Sequence, residues 1–233
     1  MRPLVIMGHI FGVVVGMERK REKPSFLCYN ESMYDWNIRN IFKIFFPQTR
    51  LNRSLRILIT TNTGIVFIVG LFAPFYAVFI QNIGGNIAFA GFSWALFAIV
   101  QGSLILLFSN WELRVKEQEL LIALSYIVRG VVFLSYAFMQ SIPQLLVTQI
   151  FWGIAGALGT PAFDAVYSAH TTQEDSIVQW GGWEGVAAIA TGVAALLGGL
   201  LIQSFGYSTV FLGMAAFSII LGLYIWSLPR EVL

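Results

Sequence analysis

The chain has 233 residues, of which 57% are hydrophobic and 11% are charged, and its formal net charge is +2. A soluble domain carries about 25% charged residues, so this composition excludes a water-soluble globular fold and predicts an integral membrane protein. The single cysteine cannot form an internal disulfide, and the sequence has neither a Walker-type glycine loop nor a His/Cys metal-ligand spacing, so we expect no cofactor, no metal and no nucleic-acid partner.

Residues 1–35 are an uncertain N-terminal segment. Leu4 to Met17 is apolar, but it is shorter than the roughly 20 residues of a membrane span and is flanked by charged residues. It resembles the core of a signal peptide, although no clear small-residue cleavage site follows it. Two alternatives are equally open: the segment dips into the membrane without crossing it, or translation begins later, for instance at Met33.

Residues 36–56 are predicted to form an amphipathic surface helix and a basic lead-in to the membrane domain. Within Trp36–Phe46, apolar residues fall on one helical face and polar or basic residues on the other, and the pattern ends at Pro47. The apolar face consists of Ile38, Ile41, Phe42 and Phe45. Such a helix lies flat on the inner surface of the bilayer, where its cations meet anionic lipid.

Residues 57–228 are predicted to form a six-helix transmembrane domain, followed by a short cytoplasmic tail at 229–233. Each apolar run is long enough to cross about 30 Å of hydrocarbon at a rise of about 1.5 Å per residue. The spans are Ile57–Ile80, Ile87–Ser109, Leu120–Gln140, Pro143–Ser168, Gln179–Gln203 and Tyr207–Ser227. The connections are short, so consecutive helices are expected to be antiparallel neighbours in one all-α bundle.

Lysine and arginine residues are distributed unevenly along the chain. Most of the 14 lie before Ile57, while Arg114 and Lys116 lie between spans two and three and Arg230 follows span six. The loops on the opposite side contain none. The positive-inside rule therefore predicts that both termini are cytoplasmic and that the protein is a multi-pass protein of the inner or plasma membrane.

Three ionisable residues fall within the predicted spans: Arg129 in span three, Asp164 in span four and Glu184 in span five. Charges at membrane depth are costly and commonly mark function, so these three are candidates for intramembrane coupling. Arg129 lies about 13 Å from the cytoplasmic edge and must face protein or water. Asp164, near the cytoplasmic end of its span, has a simpler alternative, which is an ion pair with Arg114 or Lys116.

Small and polar residues form a stripe along one face of span four. The stripe consists of Gln149, Gly153, Gly156, Thr160 and Asp164. Span five has a similar stripe that includes Glu184. In the plainer interpretation these faces are packing seams, because small residues allow helices to approach closely in lipid. In the functional interpretation they line a solute or proton path, for which Gln101 on span two is a further candidate.

Two segments of the chain resemble passages of known transporters. The run Gly192-Val-Ala-Ala-Leu-Leu-Gly-Gly199, followed by Gln203-Ser-Phe-Gly-Tyr-Ser-Thr-Val-Phe211, is similar to the passage from the fifth to the sixth helix in the major facilitator superfamily. The segment Gln149-Ile-Phe-Trp-Gly153-Ile-Ala-Gly156 is similar to the fourth-helix motif of that family. The resemblance covers about residues 52–228. It implies a six-helix bundle like one amino-terminal half of a family member.

The chain also departs from the family pattern. The second loop, Ser109-Asn-Trp-Glu-Leu-Arg-Val-Lys116, keeps positive charge but lacks the family's glycine and its Asp-Arg pair, and Gln149 occupies the position of the fourth-helix arginine. Spans one and four line the solute path in the family. The resemblance therefore implies that Asn62, Gln149 and Trp152 are substrate-pathway candidates.

The resemblance also implies a function and a partner. Family members have twelve helices in two halves that insert in the same orientation. A parallel homodimer of this chain, or a pair with another six-helix chain, would supply that arrangement, so we expect a transporter that moves a small solute by alternating access. The alternative is a non-transporting assembly or sensor subunit, or the remnant half of a longer transporter. An enzyme is not expected, because the spans contain no paired aspartates and no Ser–His arrangement.

Overall fold

A computed structural model describes residues 51–112 and 114–229. In this part of the chain all regular structure is helical, and five helical stretches are long and apolar enough to cross a membrane. The helices are α1 (Arg53–Phe72), α2 (Tyr76–Asn82), α3 (Ile87–Glu112), α4 (Gln118–Ala137), α5 (Ile142–His170) and α6 (Ser176–Ser227). The predicted all-α membrane fold is thus confirmed. The predicted segments 1–35 and 36–46 and the end of the tail lie outside the described residues.

The first span consists of α1, a 3-10 turn and α2. Asn52 caps α1, because its side-chain oxygen accepts a hydrogen bond from the backbone N–H of Leu55 at 2.8 Å. The 3-10 turn, Ala73–Phe75, contains Pro74 and separates the two helices. Proline has no N–H to donate to the helix, so it interrupts the α-helical hydrogen bonding there. The whole stretch Arg53–Asn82 still forms one candidate membrane span.

Helix α6 is 52 residues long but is interrupted at Gly206, whose φ of 76° is not helical. Before this glycine α6 runs parallel to α1, since Gly198 contacts Leu71 and Gly199 lies against Phe75. After Gly206 the chain runs in the opposite direction, antiparallel to α1.

The reversal is visible in the contacts of the second part of α6. The ring of Phe211 packs on Phe72 at 4.7 Å between centroids, and Leu221, further along, lies against Gly64. The two parts, 176–205 and 207–227, each exceed the length of about 20 residues that a crossing needs. The described residues thus form six segments of crossing length, as many as the sequence predicts.

The core of the bundle surrounds α4, which makes its most extensive contacts with α6 and α5. A polar contact ties α4 to the second part of α6, where the Ser218 hydroxyl donates to the backbone oxygen of Tyr126 at 2.8 Å. Helix α3 lies at the periphery and packs mainly on α5. Only Ala90, Ser93 and Glu112 of α3 are buried, so most of this apolar helix is exposed in the single chain.

Candidate functional site

Gln149 lies at the centre of a buried polar cluster between four helices. Its side chain is 1% exposed, and its amide nitrogen donates to the hydroxyl groups of both Tyr76 on α2 and Tyr136 on α4, the latter at 2.8 Å. The Tyr76 hydroxyl is also 2.7 Å from that of Ser93 on α3. We call Gln149, Tyr76, Tyr136 and Ser93 the Gln149 cluster. It joins α2, α3, α4 and α5 through side-chain hydrogen bonds alone.

Aromatic rings surround the Gln149 cluster. Trp152 is 7% exposed and packs on Phe97, Phe133 and Tyr136 with centroid distances of 5.6 to 5.8 Å. Most of these ring pairs are edge-to-face or tilted, an arrangement that aromatic quadrupoles favour. Gln149 and Trp152 are therefore interior residues with specific neighbours in this conformation, and their part in a substrate pathway stays a prediction.

The stripe of small and polar residues predicted on span four lies on α5, and we call it the α5 stripe. Its middle is a packing seam. A Cβ on Gly153 would stand 2.8 Å from the side chain of Val100, and one on Gly156 would stand 2.6 Å from the amide of Gln101. Both neighbours belong to α3, so these two glycines allow α3 and α5 to approach closely. Gln101 lies in this seam. These contacts do not test the predicted role of Gln101 in a solute path.

The end of the α5 stripe lines a cavity. Its volume is about 230 Å³, and its walls come from α1, α4, α5 and the first part of α6. The lining residues are Asn62, Ser125, Tyr126, Arg129, Gly159, Thr160, Phe163, Asp164 and Trp183. Three residues that the sequence singles out separately, Asn62, Arg129 and Asp164, thus come together in one place, which we call the Arg129 cavity.

The charges of the Arg129 cavity are not paired within the described part of the chain. Arg129 and Asp164 form no ion pair with each other, and the Nε atom of Arg129 is buried without a hydrogen-bond partner. Asp164 forms no ion pair with Arg114 or Lys116 either, so the pairing that the sequence offers as the simpler alternative is not present among the described residues. Asp164 is an exposed residue of α5 and lines the cavity.

Glu184 is the third predicted charge, and it lies apart from the other two. It is exposed on the first part of α6 and does not line the Arg129 cavity, although its neighbour Trp183 does. A Cβ on Gly181, Gly185 or Gly192 would meet nothing within 4 Å, so this face of α6 has no neighbour in the described structure.

Sequence reasoning missed two tyrosines of the site, Tyr76 and Tyr126. Tyr76 completes the Gln149 cluster and Tyr126 lines the Arg129 cavity, yet neither is distinguished in the sequence of a chain in which 15% of the residues are aromatic. Only their partners from other helices identify them. Thr160, by contrast, carries a signal, because it stands on the α5 stripe four residues before Asp164.

The described residues form six apolar helical segments around a buried polar cluster and a charged cavity. Such an arrangement is typical of a membrane transport protein. A family model described as Major Facilitator Superfamily matches residues 58–232. The chain therefore belongs to the major facilitator superfamily, and the family resemblance of the sequence motifs is confirmed.

Sequence comparison also finds a relative that is described only as a transporter of this family. The chain is 25% identical over 145 residues to the "Uncharacterized MFS-type transporter YitZ" of Bacillus subtilis (strain 168), an alignment that covers 62% of this chain and 88% of the relative. The alignment covers a larger share of the relative because the relative is shorter than this chain. No solved structure gives a significant match.

Proposed function

We propose that the protein moves a small solute across the membrane by alternating access, as a parallel pair of six-helix units. Family membership supports transport, since the match covers residues 58–232. Within the superfamily two halves related by an axis along the membrane normal form the moving parts. The six segments of crossing length equal the number in one such half, and in this proposal a second unit completes the solute path between halves.

The exposed first part of α6 is the observation that carries the pairing. Glu184 lies about 12 Å from the start of α6 at helical rise, on a face where the glycines have no neighbour. A carboxylate that faces lipid within a membrane span is costly. A second unit, or a polar path between the two units, removes that cost, and the small residues allow the partner helix to approach closely.

The parallel arrangement follows from the position of the basic residues. Asn52 donates to the backbone oxygen of His170 at 3.1 Å, so the start of α1 and the end of α5 lie at the same end of the bundle. Arg53 and Arg56 lie at this end, as does the α3–α4 connection with Arg114 and Lys116. The loops at the other end contain no lysine or arginine. We therefore propose that the basic end and both termini are cytoplasmic, in the cell's inner or plasma membrane, so that all copies insert in one orientation.

A cysteine cross-linking experiment tests the pairing. In a Cys28→Ser background, Ala188→Cys places one thiol on the Glu184 face of α6, and Leu223→Cys places one on the exposed side of its second part. With a short bifunctional reagent in membranes, we expect a dimer band from Ala188→Cys and none from Leu223→Cys. Native mass spectrometry from nanodiscs should give twice the mass of the chain.

The same measurements define the contrary outcomes. A monomeric mass together with no cross-link at position 188 excludes the homodimer. If a second six-helix chain is the natural partner, a purified complex would instead have the mass of two different chains. Equal cross-linking at positions 188 and 223 would indicate random collision in the membrane.

A further inference from the structure

The Arg129 cavity is not the space between two halves, since it lies within one six-helix unit. Its inner wall consists of Ser125, Tyr126, Arg129 and Gly159, and Asn62 completes it from α1. Thr160 and Asp164, which are exposed, form its mouth. One unit therefore contains a polar recess that reaches from the surface of α5 to a cation within the bundle.

Two residues that line this recess, Arg129 and Tyr126, carry buried hydrogen-bond donors without a partner. The Nε atom of Arg129 is shielded from solvent and has no partner among the described residues. The Tyr126 hydroxyl is buried as well and lies near Thr61 without completing a hydrogen bond, while the Thr61 hydroxyl donates to the backbone of its own helix at 2.8 Å. Buried donors of this kind are normally satisfied, and an arginine remains charged in proteins. The inner end thus has the chemistry of a binding site for an oxyanion.

The mouth of the recess carries the opposite charge. A Cβ on Gly159 would stand 3.9 Å from an Nη atom of Arg129, which places the guanidinium at that level of α5. Asp164 follows five residues later, or about 7–8 Å along the helix axis. The two charges therefore lie at opposite ends of the recess, and neither forms an ion pair with another described residue.

We propose that the Arg129 cavity binds a small zwitterion, in which a carboxylate and an ammonium group are separated by a few bonds. The carboxylate accepts hydrogen bonds from Arg129 and Tyr126, and the ammonium group donates to Asp164. Planar guanidinium is well suited to carboxylate, and charge-assisted bonds of this kind are the strong ones. The volume of about 230 Å³ is sufficient for a solute of this size. This inference goes beyond the proposed function, because the recess is a separate site within one unit and needs no second copy.

Calorimetric titration of the purified full chain in nanodiscs tests the site with defined probes. The zwitterions glycine, β-alanine and 4-aminobutanoate are compared with propanoate, which has only the negative group, and propylamine, which has only the positive one. We expect saturable binding of at least one zwitterion, about tenfold or more tighter than binding of either singly charged probe. Propanoate that binds as tightly as the best zwitterion would overturn the proposal, as would the absence of binding of all three zwitterions.

Matched variants locate the binding. Asp164→Asn and Arg129→Gln should each weaken zwitterion binding by about tenfold or more. Glu174→Gln and Arg114→Gln change exposed charges outside the cavity and should leave it unchanged. If Arg129→Gln does not fold, Asp164→Asn decides the question, because its side chain is at the exposed mouth. Undiminished binding in Asp164→Asn would overturn the proposal.

The two proposals fail in different ways. A monomeric chain that still binds a zwitterion contradicts the pairing and supports the site. A cross-linked dimer that binds none of the zwitterions supports the pairing and contradicts the site.

Discussion

Replacement of Gly198 by alanine is expected to cause one of the largest losses of stability that a single methyl group can produce in this protein. A Cβ at this position would stand 2.0 Å from the backbone oxygen of Leu71 and 2.7 Å from its carbonyl carbon. No rotamer change relieves a clash with backbone, so α1 and α6 would have to separate. Overpacking typically costs about 1–3 kcal/mol, and we expect a cost at or above the upper end of this range.

The midpoint of thermal unfolding in detergent and the fraction of protein that elutes as a single peak measure this effect. Gly213→Ala is the matched control, because it lies on the same helix and a Cβ there meets nothing within 4 Å. That variant should unfold at or slightly above the wild-type temperature, since alanine favours a helix over glycine by up to about 1 kcal/mol. Equal unfolding of Gly198→Ala and wild type would contradict the close α1–α6 crossing.

The membrane fold was predictable from the sequence because it depends on the length of apolar runs. Helices α3, α4 and α5 begin and end within a few residues of the predicted spans. The last two spans are two helical segments that meet at Gly206, the one residue between them with non-helical geometry, whereas the sequence predicts a three-residue link there. Glycine adopts a positive φ at little cost, so one residue is enough to reverse the chain.

The site was predictable only in part, because a stripe on one helix does not reveal what faces it. Gly156 and Asp164 share a face of α5, yet Gly156 contacts Gln101 of α3 whereas Asp164 lines a cavity with α1 and α4. The difference comes from where α3 and α4 lie against α5. The interior position of Arg129 follows from the cost of its charge in lipid, and Tyr126 is its neighbour three residues earlier on the same helix. The residues of α1 and α5 that face this pair are visible only in three dimensions.

Replacement of Gln149 by leucine is expected to destabilise the bundle through the partners that it leaves behind. Tyr136 would lose the hydrogen bond that its hydroxyl oxygen accepts from the Gln149 amide nitrogen at 2.8 Å, while Tyr76 would keep its contact with Ser93. A buried hydroxyl without a partner costs about 1–3 kcal/mol. Gln149→Leu should therefore lower the free energy of unfolding by about that amount, measured by reversible denaturant unfolding in mixed micelles.

A second substitution distinguishes this structural role of Gln149 from contact with a solute. Tyr136→Phe removes the stranded hydroxyl, so the double variant Gln149→Leu/Tyr136→Phe should be more stable than Gln149→Leu alone. Tyr136→Phe by itself should have a small effect, because Gln149 keeps its bond to Tyr76. Such recovery is the non-additivity that a direct contact produces. If Gln149→Leu instead unfolds like the wild type but loses solute uptake, Gln149 acts on the solute, and the hydrogen bonds of the cluster contribute little to the stability of the fold.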